Sequence, residues 1–118
     1  MGETSTKSKE FTRGAVAAAA IADDYNKSSL HDHCLGDCIL GKMNIRHGRP
    51  RANRYKQASE HEGWIAGFAV ALAEMHRIDS TSAGVCAAAR GAGITIKRLR
   101  AVGVSGFDLK ELKKAGVK

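Results

Sequence analysis

Ser59-Glu60-His61-Glu62-Gly63-Trp64-Ile65-Ala66-Gly67-Phe68-Ala69-Val70-Ala71-Leu72-Ala73-Glu74-Met75-His76-Arg77 is the stretch on which the fold turns. Its first four residues form a capping box, S-x-x-E, in which the serine accepts an orphan N–H of the first turn and the glutamate reaches back to the cap. Ile65, Phe68, Leu72 and Met75 then recur at helical spacing, with Trp64 beside them, so a helix is predicted from about 60 to 77 with that stripe inward. Asp79 to Ser82 read as the next turn and cap.

Working outward, the same phrase occurs earlier. Phe11-x-x-Gly14-x-Val16-x-Ala18-x-Ala20 echoes Trp64-x-x-Gly67-x-Ala69-x-Ala71-x-Ala73. Phe11, Ala15, Ala18, Ala22 and Tyr25 predict a helix over about 9–25, thin enough through Ala17–Ala20 for another helix to approach closely. A short helix should follow each long one. Ser29 caps the first of these with Asp32 reaching back, and Leu35, Cys38, Ile39 and Met43 supply its apolar face. Cys34 and Cys86 fall at similar offsets in the two halves. The expectation is two similar helical hairpins packed through Gly/Ala faces.

The C-terminal third repeats a different phrase: Ala92-Gly93-Ile94-Thr95, Val102-Gly103-Val104-Ser105 and Ala115-Gly116-Val117. Each glycine can take the left-handed conformation at a helix end while the next apolar residue folds back on the preceding turn. Thr95, and Ser105 or Asp108, can cap the following helices, and Asp108-x-x-Glu111 is a capping-box-like pair. No strand pattern competes. The fold class is therefore all-α: a small bundle of five or six helices, two similar hairpins followed by short Gly-capped C-terminal helices. Residues 1–8 are expected as a disordered tail and 9–118 as a single domain of a size able to bury its own core.

Charge is segregated. The formal charge is +7, and Lys42 to Lys56 carries Lys42, Arg46, Arg49, Arg51, Arg54 and Lys56 with no acid. Pro50 fixes its own φ and pushes Arg49 toward extended backbone, which makes 45–58 a basic loop between the hairpins. A second block, Arg90, Lys97, Arg98, Arg100, Lys110, Lys113, Lys114 and Lys118, faces only Asp108 and Glu111. Two basic patches suit a polyanion. The plainer alternative is a pair of solvated basic faces.

Residues 82–102 can be threaded on a helix-turn-helix. Ala88 and Ala89 provide the small positions, Gly93 the turn, and Ile94, Leu99 and Val102 the inner face, leaving Lys97, Arg98 and Arg100 outward for phosphates and base edges. The same spacing also arises in plain Gly-capped helix pairs. Gly48-Arg49-Pro50, with Arg51 beyond it, resembles the R-G-R-P core of AT-hook peptides, although His47 stands where that family has arginine; an extended arginine strand suits a narrow minor groove. The nucleic-acid-binding candidates are thus Arg46, Arg49, Arg51, Arg54, Lys56, Lys97, Arg98 and Arg100.

His31, Cys34 and Cys38 fall on one side of a helix and are the candidate metal ligands, though no known zinc spacing is present and core cysteine is the better reading. The three cysteines do not make a disulfide framework, no apolar run is of membrane-spanning length, and a reducing cytoplasm is expected. No phosphate-binding glycine loop or nucleophile motif occurs, so no enzyme, and no cofactor, is expected.

Three phrases carry a resemblance: Leu35-Gly36-Asp37-Cys38-Ile39-Leu40-Gly41-Lys42-Met43-Asn44, Trp64-x-x-Gly67-x-Ala69-x-Ala71-Leu72-Ala73-x-Met75-His76-Arg77, and Ala92-Gly93-Ile94-Thr95 through Phe107-Asp108-Leu109. With them the chain resembles small helical accessory proteins encoded by bacteriophages and prophages. That resemblance implies a bacterial host cytoplasm and a regulator or host-directed inhibitor. The working expectation is a DNA- or nucleic-acid-binding accessory or regulatory protein that uses the basic loop and the helix-turn-helix-like C-terminal segment. The alternatives are an inhibitor docking on an acidic host protein surface, including an anti-CRISPR or other anti-defence role, and a zinc-stabilised domain. A dimer is compatible with all three.

Overall fold

A helix that is apolar on every side belongs in the middle of a bundle, and Glu60–Asp79 occupies that place. The structure, a computed structural model, describes residues 2–27, 35–43, 60–79 and 82–118. They form α1 (Gly2–Lys27), α2 (Leu35–Lys42), α3 (Glu60–Asp79), α4 (Ser82–Gly91), α5 (Ile96–Val102) and α6 (Gly106–Ala115). The described residues contain no strand, so the chain is the all-helical bundle that its spacing predicts. Every residue from Ile65 to Ala73 is buried, as is Met75, and α3 touches each of the other helices. The predicted stripe of Ile65, Phe68, Leu72 and Met75 is inward, but so is most of the rest of the helix.

The closest crossing is between α1 and α3. A Cβ built on Gly14 would lie 2.0 Å from the Trp64 carbonyl oxygen, and one built on Gly67 would lie 1.9 Å from that of Phe11. Glycine is required at both sites because backbone meets backbone there. Phe11 and Trp64, like Gly14 and Gly67, are equivalent positions of the sequence repeat. The two helices therefore touch reciprocally, and the repeat becomes a local two-fold relation. Ala15, Ala18 and Ala22 are buried along the same seam.

Several expectations are corrected. The backbone of α1 is helical from Gly2, where a polar, disordered tail was predicted. Once a helix is nucleated, each further residue adds a hydrogen bond at little cost, so polar residues can extend it. In α2, Leu35, Ile39 and Met43 are buried as predicted, but Cys38 is exposed and is not part of the apolar face. Its neighbour Ile39 takes the inward position. The predicted cap at Ser29 and the capping serine Ser59 lie outside the described residues. Asp23, near the end of α1, accepts a hydrogen bond from the Gly36 N–H at 2.7 Å and so caps the first turn of α2 from a distance. A Cβ on Gly36 would collide with that carboxylate, 2.6 Å away, and with the Ala19 carbonyl at 2.8 Å.

The glycine stops behave as predicted. Gly93, Gly103 and Gly116 have φ of 69, 102 and 101°. The following N–H groups close back across the last turn, Ile94 to the Ala89 carbonyl at 2.9 Å, Val104 to Leu99 at 3.1 Å and Val117 to Leu112 at 3.0 Å, the double closure of a left-handed helix end. Ile94, Val104 and Val117 are buried by it. Thr95 caps α5. Ser105, rather than Asp108, caps α6, and the reciprocal pair is Ser105 with Asp108, at 3.0 Å between side chains. Asp108-x-x-Glu111 is not a capping box: both acids lie inside α6 and face α3.

Candidate nucleic-acid interface

The C-terminal third contains two acids, and both turn toward the interior. Arg77, near the end of α3, donates to Asp108 Oδ1 at 2.8 Å and to the Phe107 carbonyl at 3.2 Å, pairs with Glu74, and approaches Glu111 Oε1 at 3.8 Å. Its guanidinium lies over the Phe107 ring, 4.0 Å from the centroid, a favourable cation–π contact. Beside it, His76 Nδ1 meets Glu111 Oε2 at 2.5 Å and Nε2 meets Ser82 Oγ at 3.0 Å. An ionised carboxylate can only accept, so Nδ1 carries the proton that bridges to Glu111. The network ties α6 and the start of α4 to α3.

Its electrostatics follow from partial burial. Desolvation lowers the pKa of Arg77, but hydrogen bonds to Asp108 and Glu74, reinforced by their charges, outweigh it and raise the guanidinium above its ordinary value. The hydrogen bond from His76 holds the Glu111 carboxyl below the usual range against desolvation, with the charges of His76, Lys114 and Arg77 adding to it. The order serine, imidazole, carboxylate is also that of an acyl-transfer triad. Here Arg77 shares the carboxylate, and the array joins α3, α4 and α6.

With Asp108 and Glu111 turned inward, the outer surface of this third is left to its cations. Arg90, Lys97, Arg98, Arg100, Lys110, Lys113, Lys114 and Lys118 are all exposed. On α5, Ile96 and Leu99 hold the helix down while Lys97, Arg98 and Arg100 stand out, as the spacing predicts. The expected helix-turn-helix is built differently. Ile94 and Leu99 are buried and Val102 is half-buried, but α5 packs on α3 and α6 and makes no packing contact with α4. The αL turn at Gly93 sends α5 away from α4, and α3, already the apolar centre, covers its inner face. The pair that packs side by side at the C-terminus is α5 with α6.

Arg46, Arg49, Arg51, Arg54 and Lys56, together with the AT-hook-like phrase, lie outside the described residues, as do His31 and Cys34. Among the described residues no group of three or more His, Cys, Asp or Glu side chains is arranged to hold a metal ion, and no helix is long and apolar enough to cross a membrane. The sequence reading missed the inward use of Asp108, Glu111, Arg77 and His76. The available signal was their spacing: Asp108 and Glu111 lie one turn apart, as do Glu74 and Arg77 on the helix they face. Comparison with known proteins finds no matching family, no matching curated protein and no matching solved structure.

Proposed function

We propose that this chain is a phage-type accessory protein that binds nucleic acid through the cationic outer surface of α4, α5 and α6, with the basic segment 45–58 as a second contact. The observation that carries this reading is the sorting of charge. The two acids that could neutralise the C-terminal cations are occupied against α3, and eight exposed basic side chains remain outside. A surface of one sign costs self-repulsion and gains when it meets a polyanion, releasing counterions. Lys97, Arg98 and Arg100 are the residues expected to contribute most from α5.

The test is equilibrium binding of labelled duplex DNA, single-stranded DNA and RNA over a range of salt. Affinity should fall linearly on a log–log plot, and replacing Lys97, Arg98 and Arg100 together by glutamine should reduce the slope by about 2–3 if each contacts a phosphate. A wild-type chain that binds none of the three polymers at the lowest salt refutes the proposal. One observation favours a second reading: Phe107 is 72% exposed beside the cationic face, and exposed aromatics are common anchors in protein interfaces. If the partner is an acidic host protein, Phe107→Ala should abolish its capture from nuclease-treated lysate while leaving nucleic-acid binding unchanged.

A further inference from the structure

If nucleic acid is bound by the α4–α6 surface, the remaining question is where a phosphate is gripped rather than merely attracted. A cleft of about 260 Å³ opens on that surface, between the end of α4, the turn into α5 and the residues after α6. Its apolar wall is Ala89, Ile94 and Val117, and its polar groups are Arg90, Thr95 and Lys118. No carboxylate side chain lines it. The three polar residues come from separate segments, brought together by the glycine stops. Gly93 reverses the chain after α4, and Gly116 returns it after α6 so that the Ile96 N–H donates to a main-chain oxygen of Lys118 at 3.3 Å. Thr95 Oγ accepts from the Arg98 N–H at 3.2 Å, which leaves its own hydroxyl hydrogen to donate to a ligand.

We infer that this cleft is the seat of a phosphate group of the bound polynucleotide. Arg90 and Lys118 flank the phosphate, the Thr95 hydroxyl donates to it, and the adjoining sugar lies on Ala89, Ile94 and Val117. Two cationic residues and a hydroxyl residue line one concavity with an apolar wall beside them, a donor-rich setting for charge-assisted hydrogen bonds to a phosphate. This rests on the proposed function but is more specific. Diffuse attraction depends only on the number of charges, whereas a seat depends on which charges they are.

The experiment compares substitutions that change the charge equally. In low-salt binding of a short single strand and of a duplex, Arg90→Gln or Lys118→Gln should weaken affinity about tenfold, as expected for a charged hydrogen bond. Lys110→Gln, outside the cleft, should weaken it only about twofold, as for a screened surface charge. Cys86, half-buried in the same cleft, supplies a footprint. Its alkylation by iodoacetamide, followed by peptide mass mapping, should slow when the oligonucleotide is bound, while that of the exposed Cys38 should not. Inorganic phosphate and a mononucleotide are titrated in parallel. Protection of Cys86 by the mononucleotide at the same concentrations supports the seat and makes free nucleotide its source. Equal losses for all three substitutions, or no protection of Cys86 by any probe, overturn the seat while leaving the general binding proposal standing. Failure of the wild-type chain to bind any polymer defeats that proposal instead.

Discussion

Replacing Gly67 by alanine should destabilise this protein substantially, although alanine is ordinarily the better helix former. In an open helical site the change gains up to about 1 kcal/mol. At Gly67 the added methyl would lie 1.9 Å from the Phe11 carbonyl oxygen and 2.7 Å from its carbon, and both are backbone atoms that no rotamer change can move. Restoring an ordinary separation of about 3.5 Å requires α1 and α3 to part by roughly 1.5 Å. That loosens the seam in which Ala15, Ala18 and Ala22 are buried. Overpacking of this kind costs about 1–3 kcal/mol and sometimes more. Because neither backbone atom can turn aside, the cost lies at the upper end, about 3 kcal/mol, and with a propensity gain of about 1 kcal/mol subtracted the expected net loss is about 2 kcal/mol, a large share of the 5–15 kcal/mol typical of such domains. Urea unfolding followed by helical circular dichroism measures it, and a fall in Tm of roughly 6–12 °C should accompany it. Gly41→Ala is the control: Gly41 is on α2 with nothing within 4 Å of the new methyl, and it should be neutral or stabilising. The double variant Gly14→Ala/Gly67→Ala should lose less than the sum of the single losses, because both methyls open the same crossing. A Gly67→Ala protein as stable as the parent would refute the reciprocal backbone contact.

Other consequences follow from the C-terminal geometry. Gly103→Ala, at φ 102°, should cost about 1–2 kcal/mol through left-handed strain, measured by the same urea titration. Arg77→Ala leaves Asp108 and Glu74 without their partner and should cost about 2–3 kcal/mol, with faster hydrogen exchange in α6 as its local signature. The carboxyl of Glu111 is held below its ordinary pKa by His76, so its stabilisation is full above the unfolded value and is lost as pH falls through the folded one. Glu111→Gln should therefore flatten the acid limb of the stability profile, and a parent-like limb in that variant would contradict the pairing.

The C-terminal caps were legible residue by residue. Glycine followed by a buried aliphatic and then a hydroxyl residue encodes the end of one helix and the start of the next within five positions, and such local hydrogen bonding needs no distant partner. Helix identity was legible for the same reason, since spacing and capping act within a turn or two. Asp108 shows where this stops. One of its carboxylate oxygens joins the Ser105 cap, as local context suggests, but the other is taken by Arg77, 31 residues away, and only the docking of α6 on α3 brings that pair together.

Sequence alone determined that the chain is helical, where its glycine stops fall and that its charge is divided into patches, because periodicity, capping and left-handed glycine are properties of neighbouring residues. It also displayed the repeat of Phe11-x-x-Gly14 and Trp64-x-x-Gly67, but not its meaning. Tertiary structure decided that the repeated glycines face each other's carbonyls, that α3 is buried all round, that α5 packs on α3 and α6 rather than on α4, and that the two C-terminal acids turn inward and leave the cations outside. These are outcomes of competition for the same apolar and ionic partners among residues far apart in the chain. Such competition is resolved only when the helices pack.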